Sequence, residues 1–319
     1  MFRFLQYRHL VCATALGVCA AAHADDERRF KLVDANVQER ANGVLALMGY
    51  TVVPDVTTSS LSINNVSSGD AGLNMTQLGG GATMSQSVPV YLEGALSYAR
   101  YDPTFVATDG QEERRLPLKW NSLSASGGIG WDFPIAEHLV IRPIFNFAVG
   151  QVASDVTAAK WYVERQVDRE FNFLDGGALS AYGLGGSIML DYEDLQPERD
   201  IDIELRYSNI QLKSFGNSDE SVQGTSTAES ASLWARYRAP ISDWSLLDRP
   251  FRYVLEFAQT QFIGDLRGAL GFNYLTSIGA GVELDSSKYN VLVTRTRLVT
   301  RYVFGNNVSG ISVGLACSF

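Results

Sequence analysis

The sequence predicts an all-β fold: a transmembrane antiparallel β-barrel of about twelve strands, with an N-terminal helix in or near the pore. Three observations predict it. The chain opens with an apolar segment typical of exported proteins, apolar residues alternate with small or polar ones from Leu61 onward, and the last alternating stretch ends on an aromatic residue, Phe319.

Residues 1–24 are interpreted as a secretory signal peptide. Arg3 and Arg8 precede an apolar run over 10–22, and Ala22 and Ala24 supply the small residues of an A-x-A cleavage site. A lipoprotein signal at Cys19 is the alternative, but a bulky valine precedes that cysteine where a small residue is required. We therefore divide the chain into a signal peptide (1–24), an N-terminal segment with a pore helix (25–50) and the barrel (51–319).

Charge and cysteine content limit the function classes. The chain has a formal net charge of −9. The signal segment contains basic but no acidic residues, so its removal makes the remaining chain more negative. A nucleic-acid partner is therefore not expected. Cys317 is the only cysteine beyond residue 24, which excludes an internal disulfide. No later apolar run reaches the roughly 18–20 residues of a membrane helix, whereas the weaker segments of a membrane barrel remain compatible.

Residues 30–48 have helical rather than strand periodicity. Phe30, Val33, Val37, Val44 and Met48 fall on one stripe, while Asp34 and Glu39 lie off it. The pair Val52-Val53 and then Pro54 predict the end of the helix.

The rest of the chain repeats a period of two. In one stretch Phe251, Tyr253, Leu255 and Phe257 alternate with Arg252, Val254, Glu256 and Ala258. A soluble β-sandwich also alternates, but segments of about ten residues, small residues on the polar face and aromatics near strand ends favour the barrel. The predicted strands centre on 57–63, 72–80, 88–99, 118–132, 138–150, 177–191, 200–211, 226–239, 251–262, 268–284, 287–303 and 307–319.

The connections alternate between short and long, as in outer-membrane barrels. Turns 134–137 and 196–199 are expected on the periplasmic side. The longer connections 101–117, 151–176 and 212–225 are expected outside the cell. The connection 240–250 is longer than a periplasmic turn should be.

If the apolar face meets lipid, charged side chains must face the lumen, since an arginine in mid-membrane costs about 2–4 kcal/mol. An arginine-rich wall near the later strands predicts weak anion preference and suggests that Asp34 and Glu39 pair there, with the helix as a plug. In the alternative, the inward charges pair across the wall and the helix lies elsewhere. The predicted pore-lining residues are Arg142, Asp202, Glu204, Arg206, Arg236, Arg238, Arg252, Glu256, Arg295, Arg297 and Arg301.

The final stretch fits an outer-membrane assembly signal carried by Ser312, Gly314, Cys317 and Phe319. An ordinary buried last strand is the alternative. The whole of residues 30–319 resembles the translocator barrels of autotransporters: a helix (about 34–48) precedes the first strand, about twelve strands follow, and the segment 130–143 contains an aromatic-turn-proline pattern.

The resemblance implies a Gram-negative outer membrane, with lipid, the barrel assembly machinery and periplasmic chaperones as partners of a monomer. Two features depart from the family. Only residues 25–33 separate the cleavage site from the helix, and the helix has lone asparagines, Asn36 and Asn42, instead of the pair at which some relatives cut themselves. We therefore expect a solitary barrel without a passenger.

No catalytic or cofactor site is expected. His138 is the only histidine beyond residue 24, and it lies in a predicted periplasmic turn beside Glu137. One histidine and one cysteine cannot form a typical zinc site. The predicted function is a structural or pore-type barrel with a helix-plugged lumen. The alternatives are a surface adhesin or binding protein acting through loops 101–117 and 151–176, and, with nothing specific in its favour, a barrel hydrolase.

Overall fold

A computed structural model describes residues 31–32, 37–52, 59–65, 72–102, 104–108, 113–117, 119–154, 178–215, 224–286, 294–306 and 308–318. The predicted signal peptide, with Ala22 and Ala24, lies outside the described residues, as do Asp34 and Phe319. The helix containing Glu39 is described, but not that side chain.

Twelve antiparallel strands form one closed barrel, as predicted. Each strand pairs with its neighbour in the chain, and the pairing of the first strand with the last closes the sheet. The barrel strands are β2 (Ser59–Asn65), β3 (Gly72–Thr83), β4 (Val90–Asp102), β7 (Trp120–Trp131), β9 (Leu139–Ser154), β10 (Ala178–Leu195), β11 (Asp200–Phe215), β12 (Thr225–Leu246), β13 (Arg249–Gly264), β14 (Tyr274–Asp285), β15 (Arg295–Gly305) and β16 (Val308–Ser318).

The predicted alternation places apolar side chains on the outside of the barrel. On β13, Leu255 and Phe257 are 49% and 37% exposed, whereas the intervening Val254 and Glu256 are 0% and 5% exposed. The last strand follows the same rule: Ile311, Val313 and Leu315 are exposed, and Ser312 is buried. This is the reverse of a soluble sandwich, whose apolar face is the buried one.

The helix α1 (Val37–Val52) lies inside the barrel and contacts β4, β7, β9, β11 and β12. It ends two residues before Pro54, since the residue before a proline avoids helical geometry. The helix was expected to begin near residue 30 or 34. A start at residue 30 is wrong, because Lys31 and Leu32 form a short strand instead. Among the described helices, none has the length and apolarity that a membrane span requires.

A separate three-stranded sheet is formed by β1 (Lys31–Leu32), β5 (Thr104–Thr108) and β6 (Glu113–Pro117). β1 pairs with β5 in antiparallel register, Lys31 opposite Thr108. Part of the connection predicted as loop 101–117 is therefore strand. Loop 151–176 is described only as far as Ser154, where β9 ends.

Turns and loops separate to opposite ends of the barrel. The turn end carries 84–89, 196–199 and the turn around Glu137 and His138, where β8 (Phe133–Ala136) pairs back onto β9. The loop end carries the connections after β4, β9, β11 and β13. The prediction of a long connection over 240–250 is wrong. β12 and β13 continue past the register shift at Pro240 and are joined by a two-residue turn.

The predicted strand 268–284 begins later than expected, at Tyr274. Residues 265–273 form a compact loop held by internal hydrogen bonds such as Gly268 N to the Phe272 carbonyl (3.2 Å). Leu270 and Phe272 alternate in sequence, but both are buried rather than exposed to lipid. We call residues 265–273 the capping loop.

The turn between β12 and β13 carries a testable strain. Leu247 and Asp248 both adopt positive φ, 52° and 62°, a geometry that hairpins usually fill with Asn-Gly. A leucine in this region costs about 1 kcal/mol that asparagine largely avoids. Leu247→Asn should therefore raise the free energy of unfolding by about 1 kcal/mol in urea titrations of the barrel refolded into lipid vesicles. Leu247→Val should lower it, and equal stabilities would contradict the assignment.

Candidate functional site

The barrel lumen has two layers along its axis. Nearer the loop end is the helix layer, where α1 packs against apolar wall residues. Nearer the turn end is the ion-pair layer, where inward-pointing arginines and carboxylates from the walls pair with one another. Only side chains on every second strand position reach the lumen, so both layers follow from the alternation of the strands.

The C-terminal half of the helix, from Leu45 to Val52, is buried on all sides. Leu45, Leu47, Met48 and Val52 are buried, although they point in different directions around α1. A helical segment with apolar residues on all its faces is typical of one enclosed by protein. The apolar wall residues of this layer come from nine strands and the capping loop: Leu73, Ala99, Trp120, Ala148, Val152, Leu179, Ala181, Ile210, Leu212, Ala228, Phe262, Leu266, Leu270, Phe272 and Val308.

Few hydrogen bonds hold α1 in place among the described residues. The Tyr50 hydroxyl donates to the Leu266 carbonyl of the capping loop (2.9 Å). The Ser97 hydroxyl donates to the Thr51 carbonyl (3.0 Å), and the Ser124 hydroxyl donates to Thr51 Oγ1 (2.7 Å). The C-terminal turn of the helix is thus fixed to β4, β7 and the capping loop.

Close approach of the helix to its surroundings depends on Gly49. A Cβ at this position would lie 2.7 Å from Leu266 Cδ2 and 3.3 Å from Ala228 Cβ. A larger side chain here would have to move either the capping loop or the helix. The sequence analysis did not single out Gly49 or the capping loop, because their role depends on which segments meet in the lumen.

In the ion-pair layer, every arginine predicted to line the pore has a carboxylate partner. Asp200 is the centre of one cluster and lies 3.2 Å from Arg238, 3.1 Å from Arg252 and 3.1 Å from Arg295. Glu283, fully buried, lies 2.7 Å from Arg297 and 3.2 Å from Arg238. The pairs Arg301–Glu256 (2.6 Å) and Arg236–Asp202 (2.8 Å) complete this side of the lumen.

Arg142 forms a second cluster at the turn end. Its guanidinium donates to both Asp132 oxygens, lies 3.0 Å from Asp191 and stacks 4.0 Å over the Tyr91 ring. Asp132, Asp191 and Asp200 were not among the predicted pore residues. The alternation along the strands could have identified Asp191 and Asp200, because each lies two positions from another residue that points into the lumen.

The ion pair between Arg206 and Glu93 crosses the lumen. Arg206 on β11 binds Glu93 on β4 in a bidentate pair of 2.7 and 2.8 Å, with β7, β9 and β10 between those strands in the sheet. Both side chains are nearly fully buried. Two further hydrogen bonds extend this contact: Asn146 donates to Glu93, and Ser187 donates to Asn146.

A cavity of about 150 Å³ lies between the two layers. Tyr50, Met75 and Phe262 border it on the helix side, and Arg206 and Arg301 on the ion-pair side. The predicted pore residue Glu204 lines this cavity.

The remaining predicted site residues are placed as follows. Ser312 faces the lumen, Cys317 is exposed, and Gly314 lies under the Arg301 guanidinium, where a Cβ would come within 2.6 Å of Nη1. His138 packs near the Tyr192 ring, with ring centres 6.1 Å apart. The predicted pairing of the arginines with Asp34 and Glu39 stays a prediction, although those arginines already have wall carboxylates as partners.

The later strands keep their arginine-rich wall, and Asp200 of β11 pairs with arginines from three of them. Asp132 and Asp191 face the same interior on the other side of the lumen. The weak anion preference stays a prediction.

The cross-lumen pair gives a testable coupling. Arg206→Met should lower the free energy of unfolding by about 3–5 kcal/mol, because it leaves the Glu93 carboxylate buried without its cation. Adding Glu93→Gln removes that charge, so the double variant should lose clearly less than the sum of the two single changes. Urea unfolding in vesicles measures the cycle. Additive losses would show that the two side chains do not interact.

Comparison with known proteins adds the following. The sequence profile of the autotransporter beta-domain family matches residues 55–247. A search of curated proteins finds no significant match. Among solved structures, the chain is similar to the beta domain of the Bordetella autotransporter BrkA, at 15% identity, TM-score 0.44, covering 82% of this chain and 97% of that one.

Two further structures are similar. The translocator domain of the autotransporter NalP from Neisseria meningitidis has 11% identity and a TM-score of 0.43, covering 88% of this chain and 95% of that one. The transport unit of the autotransporter AIDA-I from Escherichia coli has 14% identity and a TM-score of 0.43, covering 88% and 99%. The family profile spans more than half of the residues. Together with the closed twelve-stranded barrel, it leads to one conclusion: this chain belongs to the autotransporter beta-domain family.

Proposed function

We propose that this protein is an outer-membrane β-barrel of a Gram-negative bacterium with a structural or pore-type role, whose lumen is closed by α1 and the ion-pair layer. The observation that carries the proposal is the position of α1 in the lumen next to a layer of paired charges, with its residues from Leu45 to Val52 buried on all sides. This role requires neither a catalytic residue nor a cofactor.

The outer surface supports a membrane location. Large apolar side chains are exposed on the barrel strands, including Leu78 (72%), Leu315 (62%) and Phe145 (57%). Exposed apolar area of this extent is not tolerated in water. Outer-membrane lipid is therefore a proposed partner, and the closed sheet supports a monomer.

The last strand supports a role for the barrel assembly machinery and periplasmic chaperones as further partners. β16 presents apolar residues outward and pairs with β2. We propose that Ser312, Gly314, Cys317 and Phe319 act as the assembly signal, as the sequence pattern predicts.

The two layers would close the lumen by different means. The helix layer fills space with apolar side chains, and its contacts are non-directional apart from the bonds of Tyr50 and Thr51. The ion-pair layer consists of charged groups that water can hydrate when the helix leaves. We propose that α1 is the main barrier to the passage of ions through the lumen. The Arg206–Glu93 pair would narrow the opening that remains when the helix leaves.

The proposal predicts a change in conductance on removal of the helix. The full-length barrel in a planar bilayer should be closed, and a variant lacking residues 31–52 should show discrete conductance steps. Adding Arg206→Gln to the deletion should increase the step size, because the cross-lumen pair is lost. A silent deletion variant that still migrates as a folded barrel would show that the side chains alone seal the lumen.

A point variant provides a matched control for the deletion. Gly49→Leu should produce transient openings in the full-length chain, since a side chain at Gly49 collides with Leu266. Gly80→Leu makes the same chemical change on a strand where a Cβ meets nothing within 4 Å, and it should stay closed. Equal behaviour of the two variants would argue against the helix as the barrier.

A second candidate function is binding through loops 101–117 and 151–176. The ordered sheet that includes β5 and β6 favours it, because part of the first loop has a defined structure. Deleting residues 104–117 would separate the two functions: loss of surface binding with an unchanged conductance of the helix-deleted barrel supports the binding role.

A further inference from the structure

The cavity between the helix layer and the ion-pair layer has properties of a ligand site. Its volume of about 150 Å³ is enough for a body the size of benzene. Apolar side chains form most of its wall, and a smaller polar part faces the turn end. The apolar part includes Tyr50, Leu61, Leu73, Met75, Phe262 and Val303.

One carboxylate in this wall has no neutralising partner. Glu204 makes no hydrogen bond and no ion pair with any residue in the described part of the chain. The other two charged groups of the wall, Arg206 and Arg301, are bound by Glu93 and Glu256 at 2.7 and 2.6 Å. Among the charged groups of this wall, Glu204 is therefore the one without an ion-pair partner in the described part of the chain.

The other arginines near Glu204 are also committed elsewhere. Arg236 donates to Asp202 at 2.8 Å, and Arg142 is held by Asp132 and Asp191. Asp202 is shared by Arg236 and Arg238. A cation in the cavity would supply the opposite charge that no described side chain gives Glu204, and it would thereby favour the ionised carboxylate.

The character of the wall decides which kind of cation fits. A metal ion such as Ca²⁺ or Mg²⁺ requires about six oxygen ligands, whereas this wall offers one carboxylate, the Gln77 amide and a few hydroxyl groups among apolar side chains. An organic ammonium ion matches both parts of the wall: its charged group meets Glu204, and its hydrocarbon body contacts the apolar residues.

We propose that the lumen binds a small organic ammonium ion with a hydrocarbon body of about benzene size, its nitrogen at the Glu204 carboxylate. Binding takes place with the helix in the lumen, since Tyr50 of α1 forms part of the wall. The proposal does not depend on whether the barrel conducts.

The experiment uses the full-length barrel refolded in detergent, with folding verified by heat-modifiable migration. Benzylammonium chloride, benzyl alcohol and sodium benzoate are the probes, each added both after and during refolding because the cavity lies inside the barrel. Isothermal titration should show that benzylammonium binds at least about tenfold more tightly than the neutral and anionic analogues, a difference of about 1.4 kcal/mol.

Three variants decide the interpretation. Glu204→Gln retains shape and should remove the preference for ammonium. Glu229→Gln removes a carboxylate on the outer face that accepts a hydrogen bond from Tyr207, and it should leave binding unchanged. Ser277→Leu fills the cavity from another strand and should abolish binding of all three probes.

The proposal is overturned if the folded barrel does not bind benzylammonium, or if benzyl alcohol or benzoate binds equally well. It is also overturned if Glu204→Gln leaves the preference intact. Should Glu204→Gln not fold, retained benzylammonium binding in a folded Ser277→Leu barrel would overturn it instead.

Discussion

Closure of the sheet is the constraint on which the rest of the structure depends. β16 pairs with β2 from Val308 opposite Asn65 to Gly314 opposite Ser59, so the first and last barrel strands share a ladder. In hydrocarbon an unpaired backbone amide costs several kcal/mol, and a closed barrel is the sheet arrangement that avoids an open edge. The apolar C-terminal strand, which would be an aggregation hazard as a free edge, is thereby paired on both sides over these residues.

Closure also determines where charge must go. With apolar side chains outside, alternation sends most charged residues of the strands into the lumen, where buried charges need partners. The strands meet this need with shared carboxylates: Asp200 serves three arginines and Glu283 serves Arg297 and Arg238. Such clusters fix the relative positions of strands that are not neighbours in the sheet, as Arg206 and Glu93 do across the lumen.

The two layers of the lumen differ in the kind of contact that holds them. Ion pairs are directional and tie wall to wall, whereas α1 is held mainly by apolar contacts that tolerate movement better. This barrel therefore has a turn end tied together by ion pairs and a loop end filled by a separate segment of chain. Glu204 lies at the boundary between the two, which is why its carboxylate has no ion-pair partner among the described residues.

The sequence by itself determined the strands and their faces, because a period of two is a local property of the chain. It predicted twelve strands, the inward position of residues such as Arg142, Arg238 and Glu256, and an N-terminal helix.

Tertiary structure decided what local pattern does not contain. Leu270 and Phe272 alternate like strand residues, yet the lumen provides a better burial site and they form the capping loop. Ser245 and Leu246 continue β12 because they pair with Pro250 and Arg249 of β13 beyond the register shift. The choice of arginine partner for each carboxylate depends on strand register and on side chains that meet across the lumen. The lack of a described partner for Glu204 has the same cause. Those contacts join residues up to 113 positions apart, as for Glu93 and Arg206, a separation at which sequence pattern carries no information on pairing.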